Sequence, residues 1–268
     1  MNDATKRIKG LLREDRIILF VGSGIPRTLG LPNWEGLINL IAKKLGFDEE
    51  IFKLYGDYMT LAEYYSLLHT GNIKDLAEWM SLEWSIDPSP VAASEIYSSI
   101  VQLNCSTIYT TNYDDSLEKA FVAHNLPVKT IIGVQDLVDL EPGTTRIIKY
   151  HGDLTDSTSM VLTESDYFRR MSFESPLDIT LRADMLGKSI VFIGYSLSDI
   201  NIRYLIFKLD SLWRDSGQIA NRPESFILLN SPNPIQEAVF KNRGITPIIC
   251  EDTNRTNNLT TFLCSICE

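Results

Sequence analysis

The sequence predicts an α/β fold with a Rossmann-like, doubly wound and mostly parallel sheet. Short β-branched runs recur along the 268 residues, most of them apolar without a break, and amphipathic helical patterns lie between them. Continuous apolar runs are typical of strands covered on both faces, and strands that alternate with helices form parallel sheets. We expect a single domain over residues 1–268, with a helical insertion at about 48–104.

Seven runs have the composition of buried strands, and each is followed by glycine or polar residues. They are RIILFVG (16–22), STIYTT (106–111), VKTIIG (128–133), RIIKY (146–150), SIVFIG (189–194), SFILLN (225–230) and TPIIC (246–250). Four further segments are predicted as helices from apolar spacing or start signals. They are NWEGLINLIAKKLG with Asn33 as N-cap, DDSLEKAFVAHN (114–125), TESDYFRRM with a capping box of Thr163 and Asp166, and SLSDINIRYLIFKLDSLWRD (196–215).

Residues 48–104 interrupt the alternation because they have helical patterns throughout. We interpret them as a helical insertion, or cap, beside the first part of the sheet. The tyrosines and tryptophans of this stretch are interpreted mainly as packing residues, with a few that close over a ligand.

Charge and hydropathy limit the partners of the chain. The formal net charge is −10 and the pI about 4.9, so a surface that binds the nucleic-acid backbone is not expected. A small anionic ligand remains compatible, since backbone N–H groups can hold phosphate. No apolar run is long enough to span a bilayer, and the first residues lack the apolar core of a signal peptide. A cytoplasmic protein without membrane contact is therefore expected.

The four cysteines predict neither disulfides nor a metal site. Cys105 and Cys250 lie in apolar, strand-like runs and are predicted to be buried. Cys264 and Cys267 form a single C-x-x-C with no second pair and no flanking histidine, so a zinc site is not expected there.

Polar segments follow four of the predicted strands, and ligands of open parallel sheets bind at the carboxyl ends of strands. The segment FVGSGIPRTLGLPNW places Gly22 and Gly24 directly after a strand, where glycine lets the backbone approach phosphate closely. The spacing is not that of G-x-G-x-x-G, since the next glycine is Gly30. A tight turn without a ligand therefore remains an alternative.

Two other segments carry an amide and a small polar loop. TTNYDD contains Asn112, for which a turn or helix-capping role is the alternative. FIGYSLSD places Gly194 and Ser196 between a strand and a long helix.

The fourth segment, KYHGD, contains His151, the one histidine of three that directly follows a predicted strand. An imidazole with a pKa of about 6.5 can act as a base near neutral pH, although a structural histidine is the alternative. His69 lies in a helical part of the insertion and His124 near a helix C-terminus, where structural roles are expected.

Together these segments resemble the Sir2 (sirtuin) superfamily. GSGIP is similar to its glycine-rich opening, TTNYD to its T-x-N-x-D, HGD to its histidine–glycine and GYSLSD to its G-x-S, in the same order, and the resemblance runs over about residues 16–251. The variants GLPNW, VLTESDY and GYSLSDINIR look most like the bacterial Sir2-like branch of NAD-consuming effectors in anti-phage defence.

The sequence departs from the sirtuin deacetylases in two respects. No cysteine lies between His151 and Gly194, where those enzymes carry a zinc module, and the strand that clamps an acyl-lysine peptide is not recognisable. The helical stretch 48–104 looks like an alternative cover. These departures disfavour protein deacetylation and leave dinucleotide binding intact.

The resemblance implies roles for individual residues. Asn112 would hydrogen-bond the nicotinamide ribose or the attacking water, and His151 would act as general base towards a ribose hydroxyl or water. Asp114 would orient this loop or the histidine, with a helix N-cap as the alternative. The other implied dinucleotide-binding residues are Gly22, Ser23 and Gly24 at the pyrophosphate, Asn33 and Trp34 at the nicotinamide end, Thr111 beside Asn112, Gly194, Ser196 and Asn230 along the adenosine half, and Cys250 and Glu251 near adenine.

The function implied by the resemblance is that of an NAD⁺ glycohydrolase, with NAD⁺ as substrate, water as acceptor and no metal. An NAD-dependent protein deacylase or ADP-ribosyltransferase is one alternative, and a non-catalytic sensor of NAD⁺ or ADP-ribose is another. A hydrolase that depletes NAD in abortive infection must be restrained until needed. We therefore expect a homo-oligomer, a separate activating or sensor protein, or both.

Overall fold

The computed structural model describes residues 3–138, 141–250 and 252–267. At its centre lies one seven-stranded sheet in which neighbouring strands pair in parallel. The strands are β1 (Ile17–Val21), β2 (Thr107–Thr110), β3 (Val128–Ile131), β4 (Thr145–Lys149), β5 (Ser189–Ile193), β6 (Ser225–Leu229) and β7 (Ile245–Ile249). All seven predicted strands are confirmed, as is the Rossmann-like α/β class.

The strand order β3-β4-β2-β1-β5-β6-β7 places the first strand in the middle of the sheet. The chain builds one side of the sheet through β2, β3 and β4, and then crosses to the other side of β1 to build β5, β6 and β7. Because the strand order reverses between β1 and β5, this is the switch point of the sheet, and doubly wound sheets bind ligands in the crevice outside the carboxyl ends of the strands at such a point.

Helices cover both faces of the sheet. They are α1 (Asp3–Arg13), α2 (Trp34–Leu45), α3 (Glu49–Phe52), α4 (Tyr58–Leu68), α5 (Lys74–Glu83), α6 (Pro88–Ala92), α7 (Glu95–Gln102), α8 (Ser116–Ala123), α9 (Glu164–Arg170), α10 (Pro176–Gly187), α11 (Ile200–Asp215), α12 (Pro234–Asn242) and α13 (Arg255–Cys267). Short 3₁₀ turns lie at Pro26–Leu29, Lys53–Tyr55, Val134–Leu137 and Ile219–Asn221.

The four predicted helices correspond to α2, α8, α9 and α11. Oδ1 of Asn33 accepts a hydrogen bond from the N–H of Gly36 at 3.1 Å and so caps α2. The predicted capping box at the start of α9 is also present. The prediction that the last of these helices begins at residue 196 is wrong, because the carboxylate of Asp199 caps α11 and holds residues 196–199 in a loop.

The core consists of three clusters of buried apolar side chains. Along β1, Ile17, Leu19 and Val21 face one cluster, under α1, α7, α8 and α13, whereas Ile18 and Phe20 face another, under α10 and α11. The third cluster lies beyond the sheet and joins α2, α4 and α5 to the segment around residues 160–162. We call α2 to α5 the helical cap.

The stretch 48–104 is helical as far as α7, but its parts pack differently. Helices α4 and α5 contribute Leu61, Tyr65 and Leu76 to the third cluster. Helix α7 instead packs Ile96 and Ile100 against the sheet. The cap over the carboxyl edge therefore includes α2, which precedes this stretch, whereas α7 is an ordinary covering helix of the sheet.

Two cysteine predictions differ in outcome. Cys105 is buried, as predicted. The prediction that Cys250 is buried is wrong, since it is only partly covered after β7, which is the edge strand of the sheet.

Over the described ranges, no group of three or more His, Cys, Asp and Glu side chains lies close enough together to hold a metal ion. No described helix is both long and apolar enough to cross a membrane.

Candidate active site

A cavity of about 920 Å³ opens at the carboxyl edge of the sheet, between the strand ends and the helical cap. This volume is in the range of cofactor and small-molecule sites. The cavity brings together most of the residues that the sequence singled out. Those that line it are Ser23, Gly24, Asn33, Trp34, Thr111, Asn112, Asp114, His151, Gly194, Ser196 and Asn230.

Two of the predicted binding residues, Gly22 and Cys250, are not among the described lining residues. Gly22 is buried behind the turn, where its N–H donates to the carbonyl of Ile193 at 3.0 Å. Cys250 continues the pairing of β7 with β6, because its N–H donates to the carbonyl of Leu229 at 3.0 Å. Glu251 lies outside the described residues.

The glycines at the switch point allow the ends of β1 and β5 to touch. The N–H of Gly24 donates to the carbonyl of Gly194 at 2.8 Å. A Cβ on Gly22 would lie 2.4 Å from that carbonyl oxygen, and a Cβ on Gly24 would lie 2.7 Å from Cα of Gly194. Gly194 itself has a φ of +58°. Side chains at these positions would therefore force the two strand ends apart.

His151 lies at the floor of the cavity with 2% of its surface exposed. Gly152, with a φ of +85°, turns the chain after it, and the carbonyl of His151 accepts the N–H of Val161 at 2.9 Å. Its ring Nε2 lies 3.1 Å from Oδ2 of Asp199, although the two groups are not aligned as a hydrogen bond. The two groups therefore lie close together without a hydrogen bond.

Burial lowers the pKa of His151 to about 4, against the opposing effect of the Asp199 carboxylate. Burial dominates because the charged imidazolium loses its hydration. At neutral pH the imidazole is therefore uncharged and has one nitrogen free to accept a proton.

Asp199 is a site residue that the sequence analysis missed. Its Oδ1 accepts the N–H groups of Asn201 and Ile202 at 2.8 and 3.2 Å, which leaves Oδ2 directed at the histidine. The sequence feature that could have revealed it is an aspartate directly after the small polar loop SLS. It was missed because the helix was predicted to begin at residue 196, which placed Asp199 inside the helix.

Asn112 lies at the end of β2, on the same cavity as His151. Its backbone N–H donates to Oγ1 of Thr110 at 3.0 Å, and that hydroxyl donates to the carbonyl of Val21 at 2.9 Å, so the loop is tied to β1. Within the described ranges, its side-chain amide makes no hydrogen bond to protein. The amide is therefore available to a ligand.

Asp114 is not the N-cap of α8, which is Asp115, so the alternative role that the sequence analysis gave it is wrong. Oδ1 of Asp114 accepts the N–H of Ser116 at 3.1 Å as well as the hydroxyl of the same residue. These contacts hold the loop after Asn112 against the start of α8. The residue also lines the cavity.

Aromatic side chains form much of the cavity wall. Trp34 stacks on Tyr58 at 6.3 Å between ring centroids, and Trp84 lies 6.2 Å from Tyr113. Tyr167 meets the His151 ring edge-on at 5.2 Å. Sequence patterns could not separate these rings from core aromatics, since both kinds occupy apolar positions of helices and loops.

One buried donor on the wall, Nε1 of Trp84, has no protein partner among the described residues. Burying such a group without a hydrogen bond costs about 1–3 kcal/mol, so it is a site where a ligand or water gains a contact. Two exposed arginines, Arg27 and Arg255, provide positive charge at the same cavity.

The model of the SIR2-like domain family matches residues 106–248, which is more than half of the chain. The chain belongs to the SIR2-like domain family. The matched range begins at β2 and ends within β7, and it includes Asn112, His151 and Asp199.

Several curated proteins are similar to this SIR2-like chain. NAD(+) hydrolase ThsA of Bacillus cereus (strain MSX-D12) is 27% identical over 80% of this chain and 43% of the relative. NAD(+) hydrolase ThsA of Cytobacillus dafuensis is 29% identical over 77% of this chain and 40% of the relative. Defense-associated sirtuin 2 of Bacillus subtilis is 23% identical over 91% of this chain and 24% of the relative. The chain spans less than half the length of each of these proteins.

Proposed function

We propose that this protein is an NAD⁺ glycohydrolase, which cleaves the nicotinamide–ribose bond to give nicotinamide and ADP-ribose. The observation that carries the proposal is the convergence of Asn112 and the His151–Asp199 pair on one cavity at the switch point of the sheet. The relatives named as NAD(+) hydrolases support the same reaction.

The cavity offers a place for each part of a dinucleotide. The pyrophosphate would lie at the Ser23–Gly24 turn, where the nearby arginines favour negative charge. The adenosine half would lie along Gly194, Ser196 and Asn230. The nicotinamide would then lie under the cap, near Trp34 and the floor that holds His151.

The reaction needs positioning more than a strong acid, because nicotinamide leaves as a neutral molecule. The electron pair of the C1′–N1 bond goes to the pyridinium nitrogen, and the ribose becomes oxocarbenium-like. A water oxygen then bonds to C1′, and its proton must be accepted. The neutral amide of Asn112 would orient the ribose or this water without adding charge.

His151 would accept the proton, directly from water or through a ribose hydroxyl, with Asp199 stabilising the imidazolium that forms. General-base assistance of this kind contributes typically about 10²–10⁴-fold in rate. Since the ring is uncharged at neutral pH, it is ready to accept without first losing a proton.

The direct test is to incubate the protein with NAD⁺ and to measure nicotinamide and free ADP-ribose by chromatography. We expect Asn112→Ala, His151→Gln and Asp199→Asn each to lower nicotinamide release by about 10²-fold or more. His124→Gln is the matched control, since its ring Nδ1 contacts the Ala120 carbonyl at the end of α8. This variant should retain wild-type activity.

The products separate the competing functions. Release that is unchanged in both Asn112→Ala and His151→Gln would overturn the assigned roles. ADP-ribose attached to a polypeptide would identify a transferase, and NAD⁺-dependent loss of an acyl group a deacylase. Tight NAD⁺ binding without nicotinamide release, at every protein concentration and with co-purified partners, would identify a sensor.

We further propose that activity depends on a homo-oligomer or a separate activating protein, and that the whole chain acts as one nucleotide-binding domain. Large apolar side chains are exposed on the cap and would suit such a contact, including Leu54 at 84%, Leu67 at 68% and Leu82 at 77%. Mass measurement in solution tests this, and an active monomer without partners contradicts it. The relative named Defense-associated sirtuin 2 supports the further proposal of a role in defence by depletion of cytosolic NAD⁺.

A further inference from the structure

Lys149 is a fully buried lysine that the proposed reaction does not yet use. It is the last residue of β4 and lies two positions before His151. Burying an ammonium group is costly unless it is paired and hydrogen-bonded. A lysine with no exposed surface therefore indicates a specific set of partners.

Those partners belong to the two loops that carry the candidate catalytic residues. The ammonium donates to the backbone carbonyl of Asp114, in the loop of Asn112. It also lies 3.3 Å from Oδ2 of Asp153, in the loop that follows His151. A third contact, 3.5 Å from Oε1 of Glu118, adds a counter-charge from α8.

Tyr113, in the loop of Asn112, donates its hydroxyl to the carbonyl of Val161 at 2.7 Å, in the segment that follows His151. Lys149 adds a buried ionic contact to both loops beside the strand ends. Asp114 is tied to the start of α8, and Asp153 accepts the N–H and hydroxyl of Thr155 at 2.8 Å. Burial works to lower the pKa of Lys149, but the three surrounding carboxylates outweigh it and raise the pKa, so the group stays charged. The contact to both loops therefore persists at neutral pH.

We propose that Lys149 is a positioning residue that fixes the Asn112 loop relative to the His151 loop. The inference rests on the proposed function, because the distance between the amide and the imidazole matters only if both act on one substrate. Lys149 does not touch the substrate. It acts through the Asp114 carbonyl and the Asp153 carboxylate, and a displacement of about 1 Å at a reacting centre can cost about 10²-fold in rate.

The first experiment measures the loops without using activity. Amide hydrogen exchange, read by mass spectrometry, is compared between wild type and Lys149→Met in peptides covering 111–116 and 151–156. We expect faster exchange in both segments. Because Lys149→Met leaves Glu118 without its counter-charge, the double variant Lys149→Met/Glu118→Gln is measured as a better-folding form that still lacks the bridge.

Matched variants separate positioning from stability. Glu118→Gln keeps both loop contacts and should show wild-type exchange in the two segments. Asp210→Asn breaks a buried ion pair with Arg222 and Arg214 near the other end of α11, so it lowers stability without reaching the loops. It should leave loop exchange and kcat unchanged.

The second experiment measures nicotinamide release by the same variants. In Lys149→Met/Glu118→Gln we expect kcat to fall about 10²-fold, while KM changes much less, because the turn at Gly24 and the residues on β5 and β6 make no contact with Lys149. A folded double variant with wild-type loop exchange and wild-type kcat would overturn the inference. Faster loop exchange in a protein whose wild type releases no nicotinamide, at every protein concentration and with co-purified partners, would support the bridge and overturn the proposed function instead.

Discussion

At the residue scale, the burial of His151 affects the stability of the fold as well as its chemistry. The unfolded chain binds a proton at this histidine below about pH 6.5, whereas the folded chain does so only near pH 4. Between these values the unfolded state holds the extra proton, so the free energy of unfolding falls as the pH falls. Above about pH 6.5 the titration of this ring does not change the free energy of unfolding, and below that pH it lowers the free energy of unfolding.

We predict that the free energy of unfolding falls more in the wild type than in His151→Gln between about pH 7.5 and pH 4.5. The excess loss should be about 2–3 kcal/mol, from the pKa difference. Urea denaturation at several pH values measures it. Carboxylates that titrate in the same range are common to both proteins and cancel in the comparison. Parallel pH profiles would show that His151 is not held uncharged by burial.

At the element scale, a buried ion pair connects the helices that support the histidine loop. Nη2 of Arg170, on α9, lies 2.6 Å from Oδ1 of Asp178, in the first turn of α10, and Nη1 donates to the carbonyl of Tyr150 at 2.8 Å. The guanidinium also lies over the Tyr150 ring at 4.1 Å. One cation thereby ties α9, α10 and the end of β4 together immediately before His151.

We predict that Asp178→Ala lowers the free energy of unfolding by about 3–5 kcal/mol, because it leaves a buried guanidinium without its counter-charge. Glu78→Ala, which removes the exposed pair of Lys74 and Glu78 on α5, should change it by less than about 1 kcal/mol. Chemical denaturation of the two variants provides the measurement. Equal losses would mean that water reaches the α9–α10 pair.

At the scale of the whole molecule, the cavity is built from parts that are distant in sequence. The sheet supplies its floor, the loops after β1, β2, β4, β5 and β6 supply its polar groups, and the helical cap supplies its aromatic wall. A ligand that contacts all three should stabilise the folded protein as a unit, since it binds the folded state only.

We predict that ADP-ribose, a product that the proposed reaction does not consume, raises the free energy of unfolding by about 2.7 kcal/mol at 100 times its dissociation constant. Gly24→Ala should abolish this gain, because the added Cβ meets the Gly194 backbone. Thermal unfolding with and without ligand is the measurement. Ribose, which lacks the pyrophosphate and adenine, serves as the ligand control. A wild type whose stability does not respond to millimolar ADP-ribose would contradict dinucleotide binding in the cavity.

The sequence by itself determined the seven strands, several of the helices and the edge of the sheet on which the site lies, but it did not predict α1, α10, α12 and α13. Strands buried on both faces have continuous apolar runs in the sequence, and helix starts have local capping residues such as Asn33. Both signals can be recognised without knowledge of distant contacts. Because parallel strands place their carboxyl ends on one edge, the residues after them had to gather there, as Asn112 and His151 do.

Only the tertiary structure decided which groups face each other. The pairing of His151 with Asp199, the bridge from Lys149 to the two loops, and the joining of α2 to the cap all depend on strand order and helix packing. The position of Cys250 at an exposed edge depends on the same order. No local pattern encodes these contacts, since their energy comes from the burial and charge of partners far apart in the chain.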